Sequence, residues 1–120
     1  MNPIDAQGIA KGLTVLTDPM DISLYIHGDR QTMVLFEMSG CPFCQDFQPA
    51  FWDFAEKYLK GYELLRVLLD DDRNPLWERY QIEAVPTVIL FAKGEIMARL
   101  DSELGVGLTP WQLDAFANCF

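Results

Sequence analysis

Two cysteines set three positions apart, Cys41 and Cys44, enclose a proline and a phenylalanine in the stretch "EMSGCPFCQDFQP". Thiols at this spacing serve metal ligation, inert packing or reversible disulfide exchange. A structural zinc site needs four ligands, and the chain offers three cysteines and one histidine. That histidine, His27, falls at the end of a different helix, where it is more simply a partner of the helix dipole than a ligand. No metal site is therefore expected. The third thiol, Cys119, lies one residue from the end of the sequence and reads as a free thiol on or beside the last helix. Three cysteines in a chain of this size do not make a structural disulfide framework. Exchange is the chemistry the pair suits best, and it asks for one sulfur held ionised and a second within reach of it.

The flanking elements supply both conditions. "RQTMVLFEM" is an apolar run of strand length, as expected of a central strand covered on both faces. From Pro42 to Lys60 the apolar positions Phe43, Phe47, Ala50, Phe51, Phe54 and Tyr58 keep one helical stripe, with Gly61 as the stop. Cys41 then stands at the N-terminal edge of a helix, where unpaired N–H groups and the dipole favour an anion, so its thiol is expected to be more acidic than a free cysteine. Cys44 sits one turn inside, close enough to attack a mixed disulfide formed at Cys41. Pro42 suits the first turn, whereas Pro49, inside the helix, removes a hydrogen bond to Gln45 and predicts a kink.

The other elements follow from punctuation. "GLTVLT" is a short first strand. "DPMDISLYIHGD" is a helix capped by Asp18, opened by Pro19 and stopped at Gly28. "YELLRVLL" is a strand, and a short helix started by Asn74 runs from about Pro75 to Tyr80. "PTVILFAKGEIMARL" is two strands joined at Lys93-Gly94, and "LTPWQLDAFANCF" is a helix capped by Thr109. The order is βαβαβαββα in one domain spanning 1–120, with 1–12 a loose N-terminal segment. A formal net charge of −9 argues against unaided binding to nucleic acid or anionic lipid. No stretch approaches the roughly 20 apolar residues of a membrane span. "MNPIDAQGIAKGLTVLTD" lacks the basic start and apolar run of a secretory signal. A soluble cytoplasmic protein is expected, although a periplasmic one with its leader removed would read the same.

With these elements in place the chain resembles the thioredoxin family from Leu13 to Phe120. "VLFEMSGCPFCQDFQPAF" is similar to that family's strand, redox motif and helix, with Pro49 where thioredoxins carry a helix-kinking proline. "AVPTVILFAKGE" is similar to the segment holding the family's cis-proline, which maps to Pro86, and "LTPWQLDAFANCF" to its terminal helix. The resemblance implies an α/β thioredoxin fold, a central mixed β-sheet flanked by helices on both faces. It implies a thiol–disulfide oxidoreductase acting through Cys41-Pro42-Phe43-Cys44, with Cys41 the nucleophile and Cys44 the resolving thiol. No cofactor is implied beyond the redox-active disulfide Cys41–Cys44. A cis Val85–Pro86 bond would turn the N–H and C=O of Val85 beside Cys41, where an extended client could pair with them. The implied partners are protein disulfide substrates and, for recycling, a flavoprotein of the thioredoxin-reductase kind.

Several positions depart from that pattern. Pro-Phe between the cysteines is commoner in glutaredoxins, yet the glycine pair with which those proteins bind glutathione is missing after Pro86, so glutathione dependence is disfavoured. The family's buried acid six residues before the first cysteine is Leu35 here, and its partner lysine maps to about Val67, so both halves of that ion pair look absent. Glu37, on the same strand face as Leu35, is the candidate to relay the Cys44 proton if desolvated; the alternative is a solvated glutamate at a strand end. Gly40 replaces a family tryptophan, and Trp52, Trp77 and Trp111 are all distant from the cysteines in sequence, so reduction should change tryptophan fluorescence little. The competing function is a redox-gated or redox-inactive module that holds a partner in the Val85–Pro86 groove.

Overall fold

The computed structural model describes residues 14–16 and 18–119. The expected loose segment 1–12 lies outside the described residues, as do Leu13 and Thr17 at the borders of the first strand. The elements are β1 (Thr14–Leu16), α1 (Pro19–Ile26), β2 (Thr32–Glu37), α2 (Pro42–Tyr58), β3 (Glu63–Leu68), α3 (Leu76–Arg79), β4 (Thr87–Ala92), β5 (Glu95–Leu100) and α4 (Pro110–Phe116), closed by a 3₁₀ turn over Ala117–Cys119. The expected βαβαβαββα order is the observed one.

The five strands form one mixed sheet in the order β1-β3-β2-β4-β5. β1, β3 and β2 run parallel, β4 is antiparallel to β2, and β5 is antiparallel to β4. β2 is buried along its whole length and β4 along nearly all of it, which is why both read as unbroken apolar runs instead of alternating ones. Alternate residues serve two cores. Met33, Leu35, Val88 and Leu90 pack with Phe47, Phe51 and Phe54 of α2 and Leu113 and Phe116 of α4. On the other face Val34, Phe36, Ile89 and Phe91 pack with Ile22 and Ile26 of α1 and Leu76 of α3. Each fully buried Phe or Leu contributes about 1.5–3 kcal/mol of transfer free energy, so the helices are held by their stripes and not by intrinsic propensity.

Caps fix the ends. The Asp18 carboxylate accepts from the Met20 N–H at 2.9 Å, and Thr109 with Gln112 forms a reciprocal capping box on α4. α2 runs unbroken through Pro49 and ends at Tyr58, earlier than the expected Lys60, because Leu59 already closes on the Ala55 carbonyl and turns out of helical geometry. The short α3 starts at Leu76, whose N–H is taken by Asn74 Oδ1 at 3.0 Å. The β4–β5 hairpin turns on Lys93 and Gly94, both with positive φ of 51° and 83°. Its tip docks on the end of α1: the Gly94 N–H donates to the Ile26 carbonyl at 2.7 Å, and the His27 ring lies where a Gly94 side chain would be. No helix among the described residues is long and apolar enough to cross a membrane.

Candidate active site

β2 leaves the sheet at Glu37, and the chain turns through Met38–Gly40 into α2. Two contacts clamp this turn. Asp70, just past β3, accepts from the Ser39 N–H and hydroxyl at 2.7 Å each, and the Cys41 N–H donates to the Met38 carbonyl at 3.4 Å. Gly40 has φ of +72°, a left-handed conformation that a glycine takes without strain. Cys41 is then the N-cap of α2, as its place at the edge of the helix predicts. Its sulfur accepts from the Cys44 N–H at 3.3 Å, in the way an N-cap oxygen serves the first turn.

The two sulfurs stand in different surroundings. Both thiols are free. Cys41 is partly open to solvent, whereas Cys44 is only 1% exposed, against Phe36 and the core shared with α1 and α3. Burial pushes the Cys44 thiol well above the ordinary cysteine range; its hydrogen bond to Cys41 and the nearby Glu37 charge act in the same direction.

Glu37 is 1% exposed, which removes the solvated-glutamate alternative. Its Oε2 accepts from Gln48 Nε2 at 2.8 Å and from Arg66 Nε at 3.1 Å, while its Oε1 is buried without a partner. Burial raises its pKa above the usual carboxylate range, opposed first by the Arg66 charge and then by the Gln48 hydrogen bond. This geometry supplies a buried acid–base pair that the sequence alone did not indicate. Leu35 and Val67 are indeed apolar and buried, but a pair stands one step along the same sheet face. In the parallel register Leu35 lies opposite Arg66, so Arg66 shares a face with Glu37, two residues on, and its side chain reaches across. That register was the signal that a reading of single positions missed.

On the open side, Cys41 lines a groove of about 240 Å³ together with Met38, Phe43, Trp77, Val85 and the loop around Leu104. The Val85–Pro86 peptide bond is cis. Thr87 Oγ1 donates to the Ala84 carbonyl at 2.8 Å and the Ser102 hydroxyl donates to the Pro86 carbonyl, pinning the residues on either side of Val85. The N–H and C=O of Val85 itself make no hydrogen bond among the described residues. Phe43 is 41% exposed, and its ring rests on Gly107, where a Cβ would come within 3.0 Å of it. Pro42, at the first helical position, completes the motif.

Trp77, distant from the cysteines in sequence, shares the groove with Cys41, which bears against the expectation of little fluorescence change on reduction. Leu76 and Tyr80 anchor α3 under the sheet, with Tyr80 against Phe36 and Phe91 at ring separations of 5.9 and 5.3 Å. This brings Trp77, held by its Nε1–H on the Asp71 carbonyl at 3.2 Å, to the rim of the groove. Glu83 and Glu103 line the same groove and were also missed, because nothing local in sequence connects them to the motif. Among the described residues no group of three or more His, Cys, Asp or Glu is placed to hold a metal ion.

A mixed sheet with paired helices on both faces, and a dithiol at the mouth of the helix after its central strand, define a thioredoxin fold. The chain belongs to the thioredoxin-like domain family, whose model matches residues 19–111. It is similar to the chloroplastic M-type thioredoxin of Brassica napus, 28% identical over 91 residues that cover 76% of this chain and 51% of that protein. It is also similar to thioredoxin H3 of Arabidopsis thaliana, 34% identical over 62 residues covering 51% of this chain and 50% of that protein. The chain thus spans about half the length of the curated relatives it matches. Among solved structures, mitochondrial thioredoxin 3 of Saccharomyces cerevisiae in its oxidised form superposes with a TM-score of 0.71 at 18% identity, covering 90% of this chain and 95% of that one.

Proposed function

We propose that this protein is a thiol–disulfide oxidoreductase that reduces protein disulfides through Cys41 and Cys44. The observation that carries the reading is the unequal burial of the two sulfurs, one lining a groove and its neighbour 1% exposed behind it. The Cys41 thiolate attacks one sulfur of a client disulfide; a Cys41–client disulfide forms and the client's other sulfur leaves as a thiolate. Cys44 then loses its proton and attacks Cys41 Sγ, forming the Cys41–Cys44 disulfide and expelling the second client thiolate. Two electrons pass from the dithiol to the client. An external reductant, in our reading a flavoprotein of the thioredoxin-reductase kind in the cytoplasm, restores the dithiol.

Glu37 takes the Cys44 proton in the resolving step. Its unpaired Oε1 is a vacant acceptor in a buried position, and its raised pKa brings it nearer to neutrality, where a base of this kind is effective. The client lies extended beside the Val85 N–H and C=O, which pair with its backbone.

Reduction of insulin by dithiothreitol tests the reading with the wild type, Cys41→Ser and Cys44→Ser. Turnover in the wild type alone is expected, with Cys44→Ser accumulating as a mixed disulfide whose client is identified by mass. Absence of turnover in the wild type sinks the proposal in favour of a binding module. For the relay, Glu37→Gln is expected to slow the resolving step by about tenfold to a hundredfold and to change its pH profile. An unchanged rate and profile would remove Glu37 from the mechanism.

A further inference from the structure

We infer that the groove beside Cys41 selects client segments carrying a lysine or arginine close to the half-cystine, an inference that rests on the oxidoreductase reading and narrows its substrate class. The groove is charged in one sense only. Glu83 and Glu103 stand on its walls, and no Lys or Arg among the described residues lines it. Neither carboxylate is neutralised from within: among the described residues neither is in an ion pair, and Arg99, which lines a second pocket together with Glu83, is committed to Asp101 at 2.8 and 2.9 Å. Both glutamates are exposed, so they act at the rim, where charge sets encounter rate and register more than binding energy.

The rest of the lining matches a cationic side chain with an aliphatic stem. Met38, Phe43 and Leu104 offer apolar surface for the methylenes of Lys or Arg, and the Trp77 indole offers a ring for the charged head. Leu104 is 79% exposed at the tip of a loop held by the Glu103–Gly107 bridge, with the Val106 N–H donating to the Glu103 carbonyl at 2.9 Å. The same loop thus presents both a carboxylate and a hydrophobic tip to the groove. A client backbone paired with Val85 would run between Glu83, two residues before Val85, and Glu103 on the facing loop. Its side chains next to the half-cystine then meet negative charge on both sides. A carboxylate-rich disulfide such as oxidised glutathione meets the same field with the opposite sign.

The test compares kcat/KM on two disulfide-linked peptides of equal length, one with Lys and Arg flanking the cysteines and one with Glu, using dithiothreitol as reductant. The wild type is expected to favour the basic peptide by about tenfold in low salt and by less than about twofold near 1 M salt. Glu83→Gln/Glu103→Gln is expected to lose most of the low-salt preference. Asp29→Asn/Glu95→Gln, which changes net charge equally at the opposite end of the sheet, is expected to keep it. Equal wild-type rates on the two peptides overturn the inference and leave the oxidoreductase reading intact. A preference that survives in the groove variant, or falls as much in the remote one, overturns it too, by assigning the effect to net charge. If the wild type reduces neither peptide, the oxidoreductase reading falls and this one with it.

Discussion

Cys41 and Cys44 are one helical turn apart, yet one lines a groove rimmed by carboxylates and the other is buried in the core near an ion pair. On the open side the polar groups that matter, the Val85 amide and carbonyl and the Glu83 and Glu103 carboxylates, have no partner among the described residues. On the closed side Gln48 and Arg66 hold one Glu37 oxygen, and among the described residues Oε1 alone is buried without a partner. The difference teaches how a symmetrical pair of thiols becomes a directional device. In the proposed mechanism, capture belongs to the open face and proton handling to the buried one. Both depend on α2 starting where it does.

The comparison can be broken most forcefully at Arg66, which is 15% exposed at its side chain. Arg66→Met strands Glu37 as a buried charge without a counter-ion and is expected to cost about 3–5 kcal/mol in urea unfolding at neutral pH. Glu37→Gln/Arg66→Met should recover most of that loss. A single-variant loss below about 1 kcal/mol would mean that the closed side is wet.

Alkylation sharpens the contrast between the sulfurs directly. With iodoacetamide at neutral pH, Cys41 is expected to react at least about tenfold faster than Cys44, which is buried and held protonated. Mass mapping of the modified peptide reads this out, and equal rates would erase the asymmetry.

A smaller effect concerns pH. Glu37 holds its proton more tightly in the folded chain than in the unfolded one, so its contribution to stability is fully present below the usual carboxylate range and is lost as pH rises through the raised value. Glu37→Gln should therefore show a flatter stability profile between mildly acidic and neutral pH. A profile parallel to the wild type would assign the dependence to other groups.

The smallest expected signal is optical. Since Trp77 shares the groove with Cys41, reduction of the disulfide should change tryptophan emission, and Trp77→Phe should abolish most of that change. An unaltered change in the variant would hand the signal to Trp52 or Trp111.

Much of this was legible in the sequence, for identifiable reasons. The Phe43–Tyr58 stripe, the apolar runs of β2 and β4 and the caps at Asp18 and Thr109 are local patterns that tertiary structure had no cause to override. The Cys41–Cys44 spacing marked the start of α2 for the same reason. The surroundings of Glu37 were not legible, because its cation sits on a neighbouring strand, and only the parallel register puts Arg66 opposite Leu35 and so on the same face as Glu37 two residues on. Trp77 and Glu103 were invisible for a stronger version of that reason. They reach the groove through α3 and a loop whose courses are set by packing, and no periodicity encodes where a loop tip will land. The end of α2 was placed too late because Gly61 is a more conspicuous stop than the Leu59–Ala55 closure that acts first.

Gly40 closes one avenue. Its backbone angle of +72° is one that a tryptophan adopts only with strain, although open space surrounds its Cα. Placing a tryptophan at position 40 would thus meet a steric penalty of about 1–2 kcal/mol from the main chain, independent of how well the indole fitted. Any bulky side chain at this position would need the turn rebuilt before the residue is exchanged.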